Sequence, residues 1–97
     1  MIRNAFLKRV ESALEALDAE VDRIAARAQK TERDARIRYD EEIAVLRMKQ
    51  EVVRATIRRV RDAGGASWGA MKNGVRLSLD DLRSAIDKAI DRLKKSA

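Results

Sequence analysis

The fold is decided by residues 67–97, which read SWGAMKNGVRLSLDDLRSAIDKAIDRLKKSA and repeat with a period of eleven. Three apolar lines share this spacing: Trp68, Leu79 and Ile90; Met71, Leu82 and Leu93; and Val75, Ile86 and Ala97. Eleven residues complete about three α-helical turns, so each line runs along one face of a helix. A basic line of Lys72, Arg83 and Lys94 follows one edge of the merged apolar stripe. The stretch is therefore predicted to be an amphipathic helix that packs against another apolar surface.

The same spacing extends backwards through the whole chain. Steps of eleven give an unbroken apolar line: Ile2, Ala13, Ile24, Ala35, Leu46, Ile57, Trp68, Leu79 and Ile90. Because apolar residues make up only 45% of the chain, chance is a poor explanation for this line. Many charged residues, no proline and a helical period are typical of coiled coils. We predict an all-α protein, built as a repeated amphipathic helix that folds back at least once.

The N-terminal half is predicted to be one long helix over about residues 3–62. Residues 2–30 carry apolar side chains at steps of three and four, as an amphipathic helix does. Residues 29–42 form a polar waist, QKTERDARIRYDEE, which contains no glycine or proline to interrupt the helix. The alternative is a break near residues 29–33, where Thr31 and Asp34 offer a helix cap; this would give a three-helix bundle.

Residues 43–62 carry two apolar faces. The first continues the seam with Ile43, Leu46, Val53, Ile57 and Val60, and the second holds Val45, Met48, Val52 and Ala55. A helix with two apolar faces usually contacts two neighbours. We therefore expect this segment to lie centrally, against the helix of residues 67–97 and against something else.

Paired glycines mark the one clear turn. Gly64 and Gly65 follow the long helix, and Ser67 is a suitable N-cap for a return helix over about residues 67–95. A short connection favours an antiparallel coiled-coil hairpin. The whole of residues 1–97 would form one domain, divided into a long helix (1–62), a turn (63–66) and a return helix (67–97).

This hairpin predicts self-association, because the return helix covers only about half of the long helix. The intrachain core would consist of Leu46, Ile57, Trp68, Leu79, Leu82, Ile86 and Ile90. An apolar stripe would stay uncovered on the N-terminal half: Phe6, Val10, Leu17, Val21 and Ile24. Monomers rarely expose so long an apolar strip. A second copy is the simplest cover, so these five residues are predicted to form an oligomer interface, in a helical bundle or a filament.

The C-terminal third resembles a signature of small bacterial coiled-coil proteins. The resemblance is carried by ASWGAMKNGV at residues 66–75 and LDDLRSAIDKA at residues 79–89. In that group a long charged helix contains a tyrosine in an A-x-x-x-Y context, which Ala35 and Tyr39 supply here. Leu79 stands where the group usually has a second tryptophan. The resemblance spans about residues 20–95 and implies helical structure and self-association, without a mechanism.

The composition argues against an enzyme. The chain has no histidine and no cysteine, so it lacks an imidazole base, a thiol nucleophile and the usual ligands of transition metals. Gly64 and Gly65 are not followed by the Gly-Lys-Ser/Thr of a phosphate-binding loop. We predict no catalytic residue, no metal and no cofactor.

Hydropathy bears on where the protein is located, and charge bears on whether it binds nucleic acid. The longest apolar run has four residues, at 43–46, which is too short for a membrane span or a signal peptide, so a cytoplasmic location is expected. The net charge of +6 and the arginines Arg47, Arg54, Arg58 and Arg61 on one helix face suggest a nucleic-acid binder. Acids of a neighbouring helix would pair with the same arginines, and no aromatic residues interleave with them, which disfavours nucleic acid.

Three functions follow from these patterns. The first is a non-catalytic, self-associating structural protein, a homo-oligomer that buries the shared seam. The second is an amphipathic coat for an anionic membrane or granule surface, with Trp68 as an interfacial anchor. The alternative for Trp68 is packing at the end of the hairpin. The third is a small basic nucleic-acid-associated protein.

Overall fold

The computed structural model describes residues 2–63 and 67–96, which form three α-helices: α1 (Ile2–Ala28), α2 (Arg33–Asp62) and α3 (Ser67–Ser96). No strand occurs within these two ranges, so the predicted all-α class is confirmed. The predicted turn at Gly64 and Gly65 lies outside the described residues. The molecule measures 52 × 17 × 16 Å along its principal axes.

The prediction of one continuous helix over residues 3–62 is wrong. Helix α1 ends at Ala28 and α2 begins at Arg33, so the alternative was right about the number of helices and the place of the break. The carbonyl of Ala28 at the end of α1 accepts from both the hydroxyl of Thr31 at 2.7 Å and the backbone N–H of Thr31 at 3.2 Å. Glu32 then leaves the helical region with a ψ of 153° and precedes α2 without a side-chain cap. The predicted cap at Thr31 is therefore not the N-cap of α2.

The break has a packing reason. A straight helix over residues 3–62 would leave the apolar stripe of α1 in water, whereas a reversal at residues 29–32 lets α2 and α3 cover it. Four polar residues leave the helix at this point, so the reversal exposes little apolar surface. Closing so short a loop costs less conformational entropy than ordering a second chain. The apolar stripe of α1 is therefore buried by α2 and α3 of the same chain, and not by a second copy as was expected.

Helix α1 runs antiparallel to α2. Near one end, the guanidinium of Arg3 donates to the carbonyl of Ala63. Nearer the other end, Arg47 forms an ion pair with Asp22 at 3.1 Å. Residues early in α1 thus meet residues late in α2, which fixes the direction of the pair.

Helix α3 runs antiparallel to α2 and alongside α1 in the same direction. Thr56 and Ser78 share a hydrogen bond of 3.2 Å, and Glu42 forms an ion pair with Arg92. Contacts between α1 and α3 follow the chain in the same order: Phe6 packs on Trp68, and Ile24 lies beside Leu93.

One apolar core joins the three helices. Its buried side chains are Phe6, Leu7, Val10, Leu14, Leu17, Val21, Ile24, Ala28, Tyr39, Leu46, Val53, Ile57, Val60, Val75, Leu79, Leu82, Ile86, Ala89 and Leu93. Five of the predicted core residues are among them, and the other two, Trp68 and Ile90, pack partly buried against it. Of the nine residues in the apolar line with steps of eleven, from Ile2 to Ile90, only Ile2 is exposed.

The five residues assigned to an oligomer interface also belong to this core. Phe6, Val10, Leu17, Val21 and Ile24 are each at most 6% exposed within the single chain. The uncovered stripe from which a second copy was inferred is therefore absent from the folded chain. Any surface for self-association must lie elsewhere.

Candidate functional site: the outer face of α2

Helix α2 carries an apolar strip on the side opposite the core. We call this the outer strip and define it as Val45, Met48, Val52 and Ala55. Three of its side chains are 45%, 67% and 53% exposed, in chain order, and Ala55 is half-buried. Steps of three, four and three place the four residues in one line along the helix. The strip is the second apolar face expected from the sequence, and within the described chain it faces solvent.

Neighbouring residues lengthen and widen the strip. Ile37, at 54% exposure, lies nearer the start of α2, on the same side of the helix. Met71 of α3 borders the same surface depression as Ala55 and is 37% exposed. Single exposed apolar residues are normal on a protein surface, whereas a contiguous apolar line usually marks a binding surface.

Charged residues continue the line of the strip at both of its ends. Glu41 lies four residues before Val45, and Arg59 lies four residues after Ala55. Both side chains are exposed, and neither takes part in an ion pair within residues 2–63 and 67–96. The outer face of α2 is thus apolar at its centre, acidic towards its start and basic towards its end.

The arginine stripe of α2 lies mainly against α1. Three of its four members pair with acids of that helix: Arg47 with Asp22, Arg54 with Asp18 and Arg61 with Glu11. Arg58 is exposed. Acids of a neighbouring helix thus occupy most of the cations that suggested phosphate binding.

Gln50 forms a buried polar contact between α1 and α2 that the sequence analysis did not single out. Its side chain is 1% exposed, and its Nε2 donates to Oδ1 of Asp18 at 2.6 Å. The other carboxylate oxygen of Asp18 accepts from Arg54 at 3.0 Å, and Arg47 donates to Oε1 of Gln50 at 3.2 Å. The available sequence signal was position alone, because Gln50 falls at helical spacing between Leu46 and Val53 in the seam.

Asp18→Ala should lower the free energy of unfolding by about 1–3 kcal/mol, because it leaves the Nε2 of Gln50 buried without an acceptor. Asp22→Ala is the matched control, one helical turn further along α1. The Asp22 side chain is 68% exposed, so loss of its ion pair should cost about 1 kcal/mol or less. Urea denaturation followed by circular dichroism measures both values. Equal losses in the two variants would contradict a special role for the Gln50 contact.

Trp68 packs at the end of the helical assembly where α1 and α3 begin. Its ring centroid lies 5.8 Å from that of Phe6, with the two planes tilted by 43°. The ammonium of Lys72 lies 5.4 Å from the Phe6 ring centroid and 5.7 Å from the Trp68 ring. Such cation–π contacts favour a fixed indole in the folded chain, in line with the packing interpretation.

In the part of the chain that the structure describes, no group of three or more acidic side chains is arranged to hold a metal ion. None of the helices in that part combines the length and hydropathy that crossing a bilayer requires.

Comparisons with protein-family models, curated proteins and solved structures found no match to this chain.

Proposed function

We propose that this protein is a non-catalytic structural protein that associates with itself through the outer strip of α2. The observation that carries the proposal is the exposed line of Val45, Met48 and Val52, which faces away from the protein's own core. Burial of apolar surface stabilises association by about 25 cal/mol per Å². A second copy would remove this line from water.

Composition supports a non-catalytic role. Without histidine or cysteine, the chain lacks the side chains that most often serve as general base or as thiol nucleophile. Several of its carboxylates and cations form ion pairs between helices, such as Arg54 with Asp18 and Lys49 with Asp81.

The other two hypotheses have less support from the geometry. A lipid coat that uses the eleven-residue stripe would require the helices to separate, because that stripe now forms the core. A nucleic-acid binder that uses the arginine stripe would have to give up three ion pairs to α1. Neither of these two hypotheses gives a role to the exposed outer strip, whereas self-association buries it.

Light-scattering mass tests the proposal. The wild-type chain should give a multiple of 11.0 kDa, with its helical circular dichroism unchanged by anionic vesicles. Met48→Lys combined with Val52→Lys should give the monomer mass with the same helix content, because both positions point away from the core. Leu77→Lys is the control, since Leu77 is 70% exposed on α3 and lies outside the strip; the multimer should persist.

A wild-type chain that stays monomeric at high micromolar concentration would overturn the proposal. A gain of helix on vesicles, or binding of DNA that weakens steeply with salt, would favour the lipid or nucleic-acid hypothesis instead.

A further inference from the structure

The outer face of α2 has an internal symmetry that goes beyond its apolar centre. The line through the outer strip contains eight residues: Arg38, Glu41, Val45, Met48, Val52, Ala55, Arg59 and Asp62. Steps of three and four alternate along it without interruption, as in the seam of a coiled coil. All eight lie in α2 between Arg33 and Asp62, and seven of them are exposed.

The line is complementary to itself when it is reversed. A second α2 can lie antiparallel over the outer face of the first, with the symmetry axis crossing the helix at the height of Gln50. Met48 of one copy then faces Val52 of the other. Val45 then faces Ala55, Glu41 faces Arg59, and Arg38 faces Asp62. The centre of this pair of helices is apolar. At each end, two facing pairs of residues, Glu41 with Arg59 and Arg38 with Asp62, bring opposite charges together.

We propose that two copies of this chain pair through antiparallel α2 helices about a two-fold axis at Gln50. This deepens the proposed self-association and rests on it. The charges decide the direction, since a parallel pair in register would place Glu41 against Glu41 and Arg59 against Arg59. Like charges across a seam destabilise it, whereas opposite charges select orientation and partner.

The four charged residues are available for this pairing. Arg38, Glu41, Arg59 and Asp62 are exposed, and their side chains form no ion pair with any residue that the structure describes. The outer face of α2 is open because its opposite face packs against α1 and α3. Met71 of α3 is exposed beside Ala55, and it would approach Val45 of the second copy.

Like charges that approach each other near the axis are already compensated within each chain. Glu51 and Lys49 flank the seam at its centre, where each comes towards the same residue of the second copy. Glu51 pairs with Arg54 at 2.7 Å, and Lys49 pairs with Asp81 at 2.6 Å. These intrachain partners reduce the repulsion at the axis.

Cysteine cross-linking tests the geometry, because the natural chain contains no cysteine. Eighteen residues of helix separate positions 41 and 59, a distance of about 27 Å. In the antiparallel pair, Glu41→Cys on one chain would face Arg59→Cys on the other. A mixture of the two single variants should therefore form a disulfide-linked dimer on oxidation, and each variant alone should not.

The outcomes separate this pairing from the proposed function. Efficient cross-linking of Glu41→Cys with itself would overturn the antiparallel arrangement while self-association stands. A wild-type chain that is monomeric by light scattering would overturn both. A wild-type dimer whose mixed variants do not cross-link would overturn the pairing alone.

Charge reversal gives an independent readout without new covalent bonds. Glu41→Arg and Arg59→Glu should each raise the dissociation constant of the homodimer roughly tenfold, because two attractive pairs become repulsive. An equimolar mixture of the two variants restores both opposite-charge pairs, so its dissociation constant should return to the wild-type value. A mixture as weak as the single variants would overturn the pairing.

Discussion

Leu17→Asp combined with Ile24→Asp should unfold the entire chain. Both side chains belong to the core and are 6% and 4% exposed, and the substitution places two carboxylates there without partners. Each buried charge costs several kcal/mol, so the pair approaches or exceeds the about 5–15 kcal/mol that stabilises a typical domain. Circular dichroism at neutral pH should show loss of most helical signal, in α2 and α3 as well as in α1.

The matched control uses the same residue types at exposed positions. Ile2→Asp combined with Leu77→Asp replaces side chains that are 76% and 70% exposed, so the helical signal should persist. The two variants also distinguish the fold from the hairpin that the sequence predicts. In a hairpin, Leu17 and Ile24 would lie between copies, and their replacement would dissociate the assembly while residues 40–95 stay helical. That result would contradict the core described here.

Leu82→Ala should lower the free energy of unfolding by about 2–5 kcal/mol. Leu82 is 0% exposed near the middle of α3, and its truncation removes buried apolar area and leaves a cavity between the helices. For a domain of this size the loss corresponds to a fall in Tm of about 10–20 °C or more. Differential scanning calorimetry on the wild-type and variant chains measures the shift.

Leu77→Ala on the same helix is its control. Leu77 is 70% exposed, and the helix propensity of alanine is slightly higher than that of leucine, so stability should change by about 0.5 kcal/mol or less. Similar effects of the two substitutions would mean that α3 does not present its Leu82 face to the core.

Periodicity was sufficient for the helical class and for most of the core. Leu46, Ile57 and Leu79 were selected by their spacing of eleven, and all three are buried. Spacing identifies the apolar side of each helix that carries the seam, and this side is buried although spacing does not say which element covers it. The second apolar face of α2 was also visible in the sequence, because Val45, Met48 and Val52 follow the same helical steps.

The course of the chain was predicted wrongly at the polar waist. Residues 29–42 contain no glycine or proline, which favoured an unbroken helix, yet the loop between α1 and α2 lies at residues 29–32. The spacing of eleven is the same on both sides of this loop, so it does not report whether a helix is continuous. The polar waist contains no glycine or proline, and its reversal uses the hydroxyl of Thr31 and the extended backbone of Glu32.

The sequence by itself determined that this protein is helical, which faces of its helices are apolar, and that it contains no histidine or cysteine for imidazole or thiol chemistry. Tertiary structure alone decided what covers each face. Phe6 and Ile24 are buried in the core because α2 and α3 fold back over α1, whereas Met48 is exposed because its side of α2 faces away from α1 and α3 in the described residues. The physical reason is that an amphipathic pattern specifies which face of a helix is to be buried, but not by what. Whether a helix of the same chain or of another copy buries that face depends on the entropy costs of loop closure and of association.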